Sequence, residues 1–137
     1  MKKIKKIKNF KVKKFTKSSG RLIPVNFDKH FPIKVKRIFF VYGKKNKVRG
    51  EHAHKKCSQL FFPIFGKIIL TVKTPNSEKK IILDHLSKKA VLVPPKYWCT
   101  IKFVKKNSIL MVACDQYYKV NDYLQSFNNY TNYLKKK

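Results

Sequence analysis

The chain has 137 residues, which is enough for one domain with a single hydrophobic core and too short for two. Its hydrophobic fraction of 43% and aromatic fraction of 14% exclude an intrinsically disordered chain, despite a formal net charge of +28. No apolar run reaches the roughly 18 residues of a membrane span, and no apolar segment of a secretory signal follows the basic N-terminus. We therefore expect a cytoplasmic protein with no membrane partner.

The positive charge comes almost entirely from lysine. Only Arg21, Arg37 and Arg49 are arginines among the 34 basic residues, and the lysines are spread along the whole chain. No RNP, zinc-finger or helix-turn-helix pattern accompanies them. The sequence therefore predicts no nucleic-acid partner, and the charge is better suited to attracting an anionic small molecule.

The cysteines indicate a reducing compartment. Cys57, Cys99 and Cys114 are odd in number and form no CxxC pair. Such usage is typical of free thiols in a cytoplasmic protein rather than of a disulfide framework.

Along the chain, short segments rich in β-branched and aromatic residues recur about every ten residues. Residues 2–14 alternate loosely between lysine and apolar residues, which indicates either a tail or an edge strand. The predicted strands are 35–42, 48–54, 58–63, 67–73, 79–83, 90–93, 98–104 and 108–114, with turns at 43–47 and 74–77. This spacing predicts an all-β sandwich or barrel.

Only the C-terminus has a helical pattern. Asn121 or Asp122 is the predicted N-cap. The apolar residues that follow at helical spacing are Tyr123, Leu124, Phe127, Tyr130 and Leu134. One face of this helix is therefore expected to pack on the β-structure.

Two histidines on one predicted strand are the most informative local feature. Because side chains alternate along a strand, His52 and His54 point to the same face. Arg49 stands just upstream and suits an anionic group, which it can bind in a bidentate manner. Neutral imidazoles are competent general bases near neutral pH. Core or rim histidines bonded to backbone carbonyls are the alternative.

The spacing of this strand resembles the first motif of the cupins. Its members here are His52, His54, Gln59 and Gly66, and the second motif would end at Cys99, where a histidine is expected. A cupin metal site uses a carboxylate and a third histidine at the positions of Gln59 and Cys99. With only two clear nitrogen ligands left, we predict no metal and no other cofactor.

A longer string makes the resemblance specific. The segment that carries it is RGEHAHKKCSQLFFPIFGKI, and the likeness continues through VKRIFFVY, VPPKYWCTIKF and MVACDQYYKVNDYLQSFNNY. Together they resemble the small cupin 3,4-ketoisomerases that act on dTDP-4-keto-6-deoxy sugars. The resemblance implies a single-domain jelly-roll cupin over residues 1–137, with a C-terminal helix and a homodimeric assembly in which residues 1–17 can exchange between subunits as an edge strand.

The resemblance also implies the reaction and its residues. The carbonyl of a dTDP-linked 4-keto-6-deoxyhexose would move from C4 to C3 through an enediolate, on a pathway to a 3-amino-3,6-dideoxy sugar of a bacterial surface glycan. His52 would be the base and His54 its partner in proton transfer. Arg49 would bind the pyrophosphate or a sugar oxygen, and Tyr42 would supply a phenol or act as a wedge at the cavity mouth.

Further candidates for the substrate site carry open alternatives. Gln59 is a candidate donor to a sugar hydroxyl, Trp98 a pocket wall or a core residue, and Asp115 an orienter of a histidine or a turn residue. Cys99 stands where the family carries a larger basic residue, which leaves a gluco or a galacto product open. Two other functions remain open: 3,5-epimerisation of the same substrate class, and a non-catalytic cupin that binds a nucleotide sugar.

Overall fold

The structure is a computed structural model that describes residues 1–87 and 89–136. The strands are β1 (Lys8–Lys11), β2 (Phe15–Lys17), β3 (Gly20–Leu22), β4 (Arg37–Tyr42), β5 (Val48–His54), β6 (Gln59–Phe65), β7 (Lys67–Thr74), β8 (Ser77–Asp84), β9 (Lys89–Val93), β10 (Trp98–Phe103), β11 (Ile109–Cys114) and β12 (Tyr123–Leu124). A 3-10 turn at Val120–Asp122 precedes β12, and the helix α1 (Phe127–Lys135) follows it. No helix within the described residues is long and apolar enough to cross a membrane.

The strands form two five-stranded antiparallel sheets and a small hairpin. The first sheet has the order β1-β9-β6-β11-β4, the second has the order β12-β5-β10-β7-β8, and β2 pairs with β3. Across residues 1–87 and 89–136 no strand is paired in both sheets, so the sheets stack without closing into a barrel. The predicted all-β, cupin-type fold with a C-terminal helix is confirmed.

Alternating side chains build the core between the sheets. In β7, Ile68, Leu70 and Val72 are buried, while the residues between them are only half-buried. They meet buried residues of the first sheet such as Phe61 and Val112. Period-two burial of this kind is what a strand with one face on a core requires.

The outer faces of the sheets are covered by different parts of the chain. The N-terminal residues Val12 and Phe31 pack on the outer face of the first sheet against Phe62 and Leu92. On the second sheet, α1 packs through Tyr130 and Leu134, together with Leu124, against Ala53 and Trp98. The outer faces of both sheets are therefore covered by packed side chains.

The helix begins later than the sequence pattern predicts. Its N-cap is Ser126, whose hydroxyl accepts a hydrogen bond from the backbone N–H of Asn129 at 3.0 Å. The predicted cap at Asn121 or Asp122 is wrong, because Asp122 lies in the 3-10 turn and its carboxylate binds residues of the β5 end. The pairing of β12 with β5 holds the intervening chain extended.

The N-terminal segment contains an edge strand. β1 pairs with β9 of the same chain, from Lys8 opposite Leu92 to Lys11 opposite Lys89. It therefore lies at the edge of the first sheet, as one of the two sequence alternatives requires. Exchange of residues 1–17 between subunits stays a prediction.

The phenol of Tyr130 fastens the helix to the second sheet. Its hydroxyl donates toward the carbonyl oxygens of Lys73 and Lys96, at 3.1 and 2.9 Å. We expect Tyr130→Phe to lower the free energy of unfolding by about 1–2 kcal/mol, because these carbonyls lose a buried partner. Urea denaturation followed by circular dichroism measures this. The matched control Tyr133→Phe should cost less than about 0.5 kcal/mol, and equal losses in the two variants would contradict the anchoring role.

Candidate active site

A bulge in β5 sets the directions of its functional side chains. Opposite β10, His52 pairs with Cys99 and Gly50 with Thr100, so Glu51 is an extra residue. Gly50 and Glu51 have positive φ values of 88° and 61°. In a regular strand Arg49 and His52, three residues apart, would face opposite sides. The extra residue brings both to the same cavity.

The structure brings the two histidines together as the alternation predicts. Their ring centroids lie 5.1 Å apart in an edge-to-face arrangement. The ring of Tyr123 lies 5.0 Å from that of His52 and 4.4 Å from that of His54. His52 is half-buried and lines the cavity, whereas His54 is buried with 5% exposure. His52 is therefore the imidazole that can meet a ligand first.

A carboxylate orients the buried histidine. Nδ1 of His54 lies 2.9 Å from Oδ2 of Asp122, whose Oδ1 accepts the backbone N–H of Lys56 at 2.7 Å. Since an ionised carboxylate only accepts hydrogen bonds, the proton of neutral His54 belongs on Nδ1. Nε2 then carries the lone pair, and this buried atom has no hydrogen-bond partner within the part of the chain that the structure describes. The arrangement leaves it ready to accept a proton.

Burial keeps both imidazoles neutral. It is the largest influence on each, and it lowers the pKa of His52 and of His54 below the usual 6.5. The hydrogen bond that His54 donates to Asp122 opposes this effect, while the neighbouring charge of a protonated His52 adds to it. Both rings can therefore act as bases at neutral pH.

A cavity of about 520 Å³ lies between the unpaired edges of the two sheets. Strand β4, at the edge of the first sheet, forms one wall, and β5 with β12, at the edge of the second sheet, forms the other. These two edges share no hydrogen bonds, so a gap remains between them. The lining side chains include Arg37, Phe39, Tyr42, Arg49, His52, Gln59, Phe61, Cys99, Ile101 and Tyr123. Apolar walls with a few convergent polar groups are typical of a small-molecule site.

Several predicted residues meet at this cavity. Arg49, Gln59 and Cys99 all line it, together with His52. Tyr42 lies at its rim with 75% of its surface exposed, so its phenol reaches a ligand only at the mouth. Burial raises the pKa of Cys99 to about 12, which keeps it a neutral thiol.

Two residues predicted for the substrate site, Trp98 and Asp115, do not line this cavity. Trp98 is 9% exposed and packs edge-on against Phe127 in the cluster below the helix, so it belongs mainly to the core, although it also borders a second cavity on the outer side of β5. Of the two roles that the sequence leaves open for Asp115, the structure shows the turn and not the orientation of a histidine. Its Oδ1 accepts the backbone N–H of Ser58 at 2.8 Å and fixes the turn before β6. Asp122 orients the histidine instead.

Sequence reasoning missed Arg37 and Tyr123 as site residues. Arg37 begins β4 and Tyr123 begins β12, and both line the cavity. Burial alone would lower the pKa of Arg37, but hydrogen bonds with Tyr123 and Cys114 outweigh it and raise this pKa. The use of arginine is the signal that could have pointed to Arg37, because it is one of three arginines in a chain whose other basic residues are lysines.

The donor set at the cupin positions does not fit a metal ion. There Gln59 is a neutral amide and Cys99 a neutral thiol, neither of which is a strong ligand. A second group brings ligand atoms of His54, Cys57 and Asp122 within 4.8 Å of one another. In this group Nδ1 of His54 is bonded to Asp122, and the S–H of Cys57 donates to the carbonyl oxygen of Ser58.

Known proteins resemble this chain over nearly its whole length. The family model described as FdtA, WxcM-like, C-terminal, matches residues 5–135. A TDP-4-oxo-6-deoxy-alpha-D-glucose-3,4-oxoisomerase of Aneurinibacillus thermoaerophilus is 29% identical over 132 residues, which are 96% of this chain and 93% of that protein.

Solved structures share the fold. The sugar 3,4-ketoisomerase QdtA of Thermoanaerobacterium thermosaccharolyticum, in complex with TDP, superposes with a TM-score of 0.87 at 25% identity over 94% of each chain. A 3,4-ketoisomerase of Helicobacter canadensis gives 0.87 at 22% identity, with 95% of this chain and 98% of that chain covered. The rmlC epimerase of Mycobacterium tuberculosis gives 0.73 at 14% identity, over 85% of this chain and 66% of that chain.

The two-sheet, cupin-type fold of this chain is the fold of solved sugar isomerases and epimerases. Within that class, the chain belongs to the FdtA (WxcM-like, C-terminal) family. The sequence-based assignment to the 3,4-ketoisomerase family is thereby confirmed.

The bond between Asp122 and His54 can be measured directly. We expect Asp122→Asn to lower the pKa of His54 further, since the carboxylate opposes the effect of burial, and to weaken the preference for the Nδ1–H form. Nitrogen NMR of the labelled histidine rings reports both changes. Asp115→Asn is the matched control and should leave His54 unchanged; an identical His54 signal in Asp122→Asn would contradict the assignment.

Proposed function

We propose that this protein is a sugar-nucleotide 3,4-ketoisomerase that converts dTDP-4-keto-6-deoxyglucose into a dTDP-3-keto-6-deoxyhexose. The observation that carries the proposal is that neutral His52 lines a cavity with two arginines and has a second neutral histidine, His54, against it. Support comes from the relative named as a TDP-4-oxo-6-deoxyglucose 3,4-oxoisomerase and from QdtA, whose structure contains TDP. A QdtA variant also binds TDP-4-keto-6-deoxyglucose.

The reaction requires a proton to leave one carbon and another to reach its neighbour. The C4 ketone acidifies the C–H bond at C3, so a base can remove this proton and leave an enediolate across C3 and C4. A proton delivered to C4, with the remaining hydroxyl proton moved from O3 to O4, completes the isomer. Every atom is conserved, and acid–base groups suffice for each step.

In this proposal His52 is the base at C3. It lines the cavity and its pKa is lowered by burial, so it is neutral before the reaction. His54 lies behind it, with its Nε2 lone pair free and its Nδ1 fixed by Asp122. His54 therefore serves as the partner that takes or returns a proton. Tyr42 at the rim supplies a phenol to the sugar.

The charged end of the substrate meets Arg49. This side chain lies at the cavity on the exposed part of β5, and its guanidinium is suited to a pyrophosphate. The formal charge of +28 also favours the approach of a nucleotide diphosphate. Gln59, buried at the inner wall, is placed to donate to a sugar hydroxyl.

The proposed setting is cytoplasmic synthesis of a 3-amino-3,6-dideoxy sugar for a surface glycan. We propose a homodimer, in which residues 1–17 carry the edge strand β1 that could exchange between subunits. Support comes from the exposed apolar side chains of the N-terminal region, such as Phe15 and Leu22. Light scattering measures the assembly.

Deuterium exchange tests the reaction. The protein is incubated with dTDP-4-keto-6-deoxyglucose in deuterated water, and NMR follows the carbonyl carbon and the deuterium at each position. We expect the ketone to move to C3 with deuterium entering at C4. A ketone that stays at C4 while C5 exchanges would indicate a 3,5-epimerase, and no exchange at any carbon would indicate a binding protein.

The same assay tests the base. We expect His52→Asn to reduce exchange at C3 by about 10²–10⁴-fold, because the asparagine amide is not a base, while TDP affinity stays close to that of the unmodified protein. His30→Asn, at an exposed position outside the cavity, is the control and should keep full turnover. Undiminished turnover by His52→Asn would remove His52 from the mechanism.

The ionisation of His52 should follow its burial. Its pKa lies below 6.5, so activity that depends on the neutral ring is present above that pH and disappears as the pH falls through the lowered pKa. Proton NMR of the His52 ring, with kcat/KM measured from about pH 5 to 8, checks this prediction. A ring that titrates above 6.5 would contradict it.

A further inference from the structure

Cys114, at the end of β11, is the focus of a hydrogen-bond network beside the cavity. Nη2 of Arg37 lies 3.7 Å from its Sγ, and Nε2 of Gln59 lies 3.8 Å from the same atom. Cys57 is a neighbour of Cys114, and its own S–H donates to the carbonyl oxygen of Ser58 at 3.4 Å. Cys114 is fully buried and has 0% exposure. The sulfur of Cys114 thus lies between two side-chain donors, Arg37 and Gln59.

The donors indicate which of the two neighbouring cysteines carries a negative charge. A sulfur that accepts from Arg37 and Gln59 suits a thiolate, whereas the thiol of Cys57 donates to the carbonyl oxygen of Ser58 and lies near the negative charge of Asp115. The neighbouring Cys57 contributes most, and with Gln59 and Arg37 it lowers the pKa of Cys114 to about 7 against the effect of burial. The same contact raises the pKa of Cys57.

The guanidinium of Arg37 connects this sulfur to the cavity. It lies over the rings of Phe39 and Tyr118, at 5.4 and 5.6 Å from their centroids, and borders the cavity together with Tyr123. Its Nε is buried and has no hydrogen-bond partner among residues 1–87 and 89–136. A buried guanidinium N–H without an acceptor is costly, and a ligand oxygen in the cavity would satisfy it.

We propose that Cys114 is a positioning residue, held as a thiolate, that orients Arg37 so that the free Nε–H of Arg37 binds the ketone or enediolate oxygen of the sugar. This role rests on the proposed function, because it names the group that stabilises the charge formed when the C3 proton leaves. The thiolate balances the guanidinium in the resting enzyme. The donor is then fixed before the oxyanion develops, which is the condition for effective electrostatic stabilisation.

The first test measures the thiolate without any substrate. Ultraviolet absorbance of the thiolate, followed against pH, should show one ionisation with a midpoint of about 7 in the unmodified protein. Cys114→Ser should remove this ionisation, and the control Cys99→Ser should retain it, since Cys99 is a neutral thiol in this range. The carbon NMR shift of Cys114 Cβ in the unmodified protein gives the same midpoint if a variant fails to fold. No ionisation near neutrality would overturn the proposal.

Two substitutions of Arg37 distinguish the effect of its positive charge on Cys114 from the effect of its Nε–H donor on the reaction. Arg37→Met should raise the midpoint of the Cys114 ionisation, because the neighbouring cation is lost. Arg37→Lys should keep the midpoint near that of the unmodified protein yet lose about tenfold in kcat/KM, since lysine has no Nε–H at that position. An unchanged midpoint in Arg37→Met would refute the pairing of the two groups.

Turnover completes the test. With dTDP-4-keto-6-deoxyglucose, Cys114→Ser should lose about tenfold in kcat with little change in TDP affinity. In the unmodified protein a partial fall of kcat/KM with a midpoint of about 7 should precede the loss tied to His52, and Cys114→Ser should lack this partial fall. Equal kcat values and equal pH profiles would overturn the positioning role. If the unmodified protein itself fails to turn over the sugar, the proposed function fails, while the titration still decides the state of Cys114.

Discussion

The pairing of β5 with a neighbour on each side is the constraint on which the site depends. On one side β10 imposes a register that leaves Glu51 as an extra residue, and this bulge brings Arg49 to the same cavity as His52. On the other side β12 pairs with the end of β5 and carries Asp122 to Nδ1 of His54. The pairing with β10 thus sets the side-chain directions along β5, and the pairing with β12 brings the carboxylate of Asp122, from the turn before β12, to His54.

The gap between the edges of the two sheets gives a ligand access to the side chains of β5. Because β4 and β5 share no hydrogen bonds, a cavity remains between them, and the polar groups of both strands can face a ligand there. The core on one side and the helix on the other exclude water from His54 but leave His52 accessible. Burial then keeps the imidazoles neutral, which couples the packing of the fold to its acid–base chemistry.

The sequence predicts which side chains of one strand share a face, but it does not predict the contacts that depend on how distant strands pair. Period-two alternation correctly placed His52 and His54 on one face. Local propensity predicts a helix cap at Asn121 or Asp122, yet the pairing of β12 with β5 keeps the segment that follows extended. The sequence leaves Asp115 open between orienting a histidine and a turn, and only the folded chain shows the turn. The role of Arg37 depends on a cavity that only the stacked sheets create.

The central claim is that His52 and its neighbours face the reacting carbons of a sugar nucleotide. A crystal structure with an unreactive TDP-linked 6-deoxyhexose that lacks the ketone tests it most directly. We expect the hexose in the cavity between β4 and β5, with its C3 within about 3.5 Å of a ring nitrogen of His52. A hexose whose C3 is remote from both histidines, in this cavity or in the second cavity beside Lys73 and Trp98, would contradict the account.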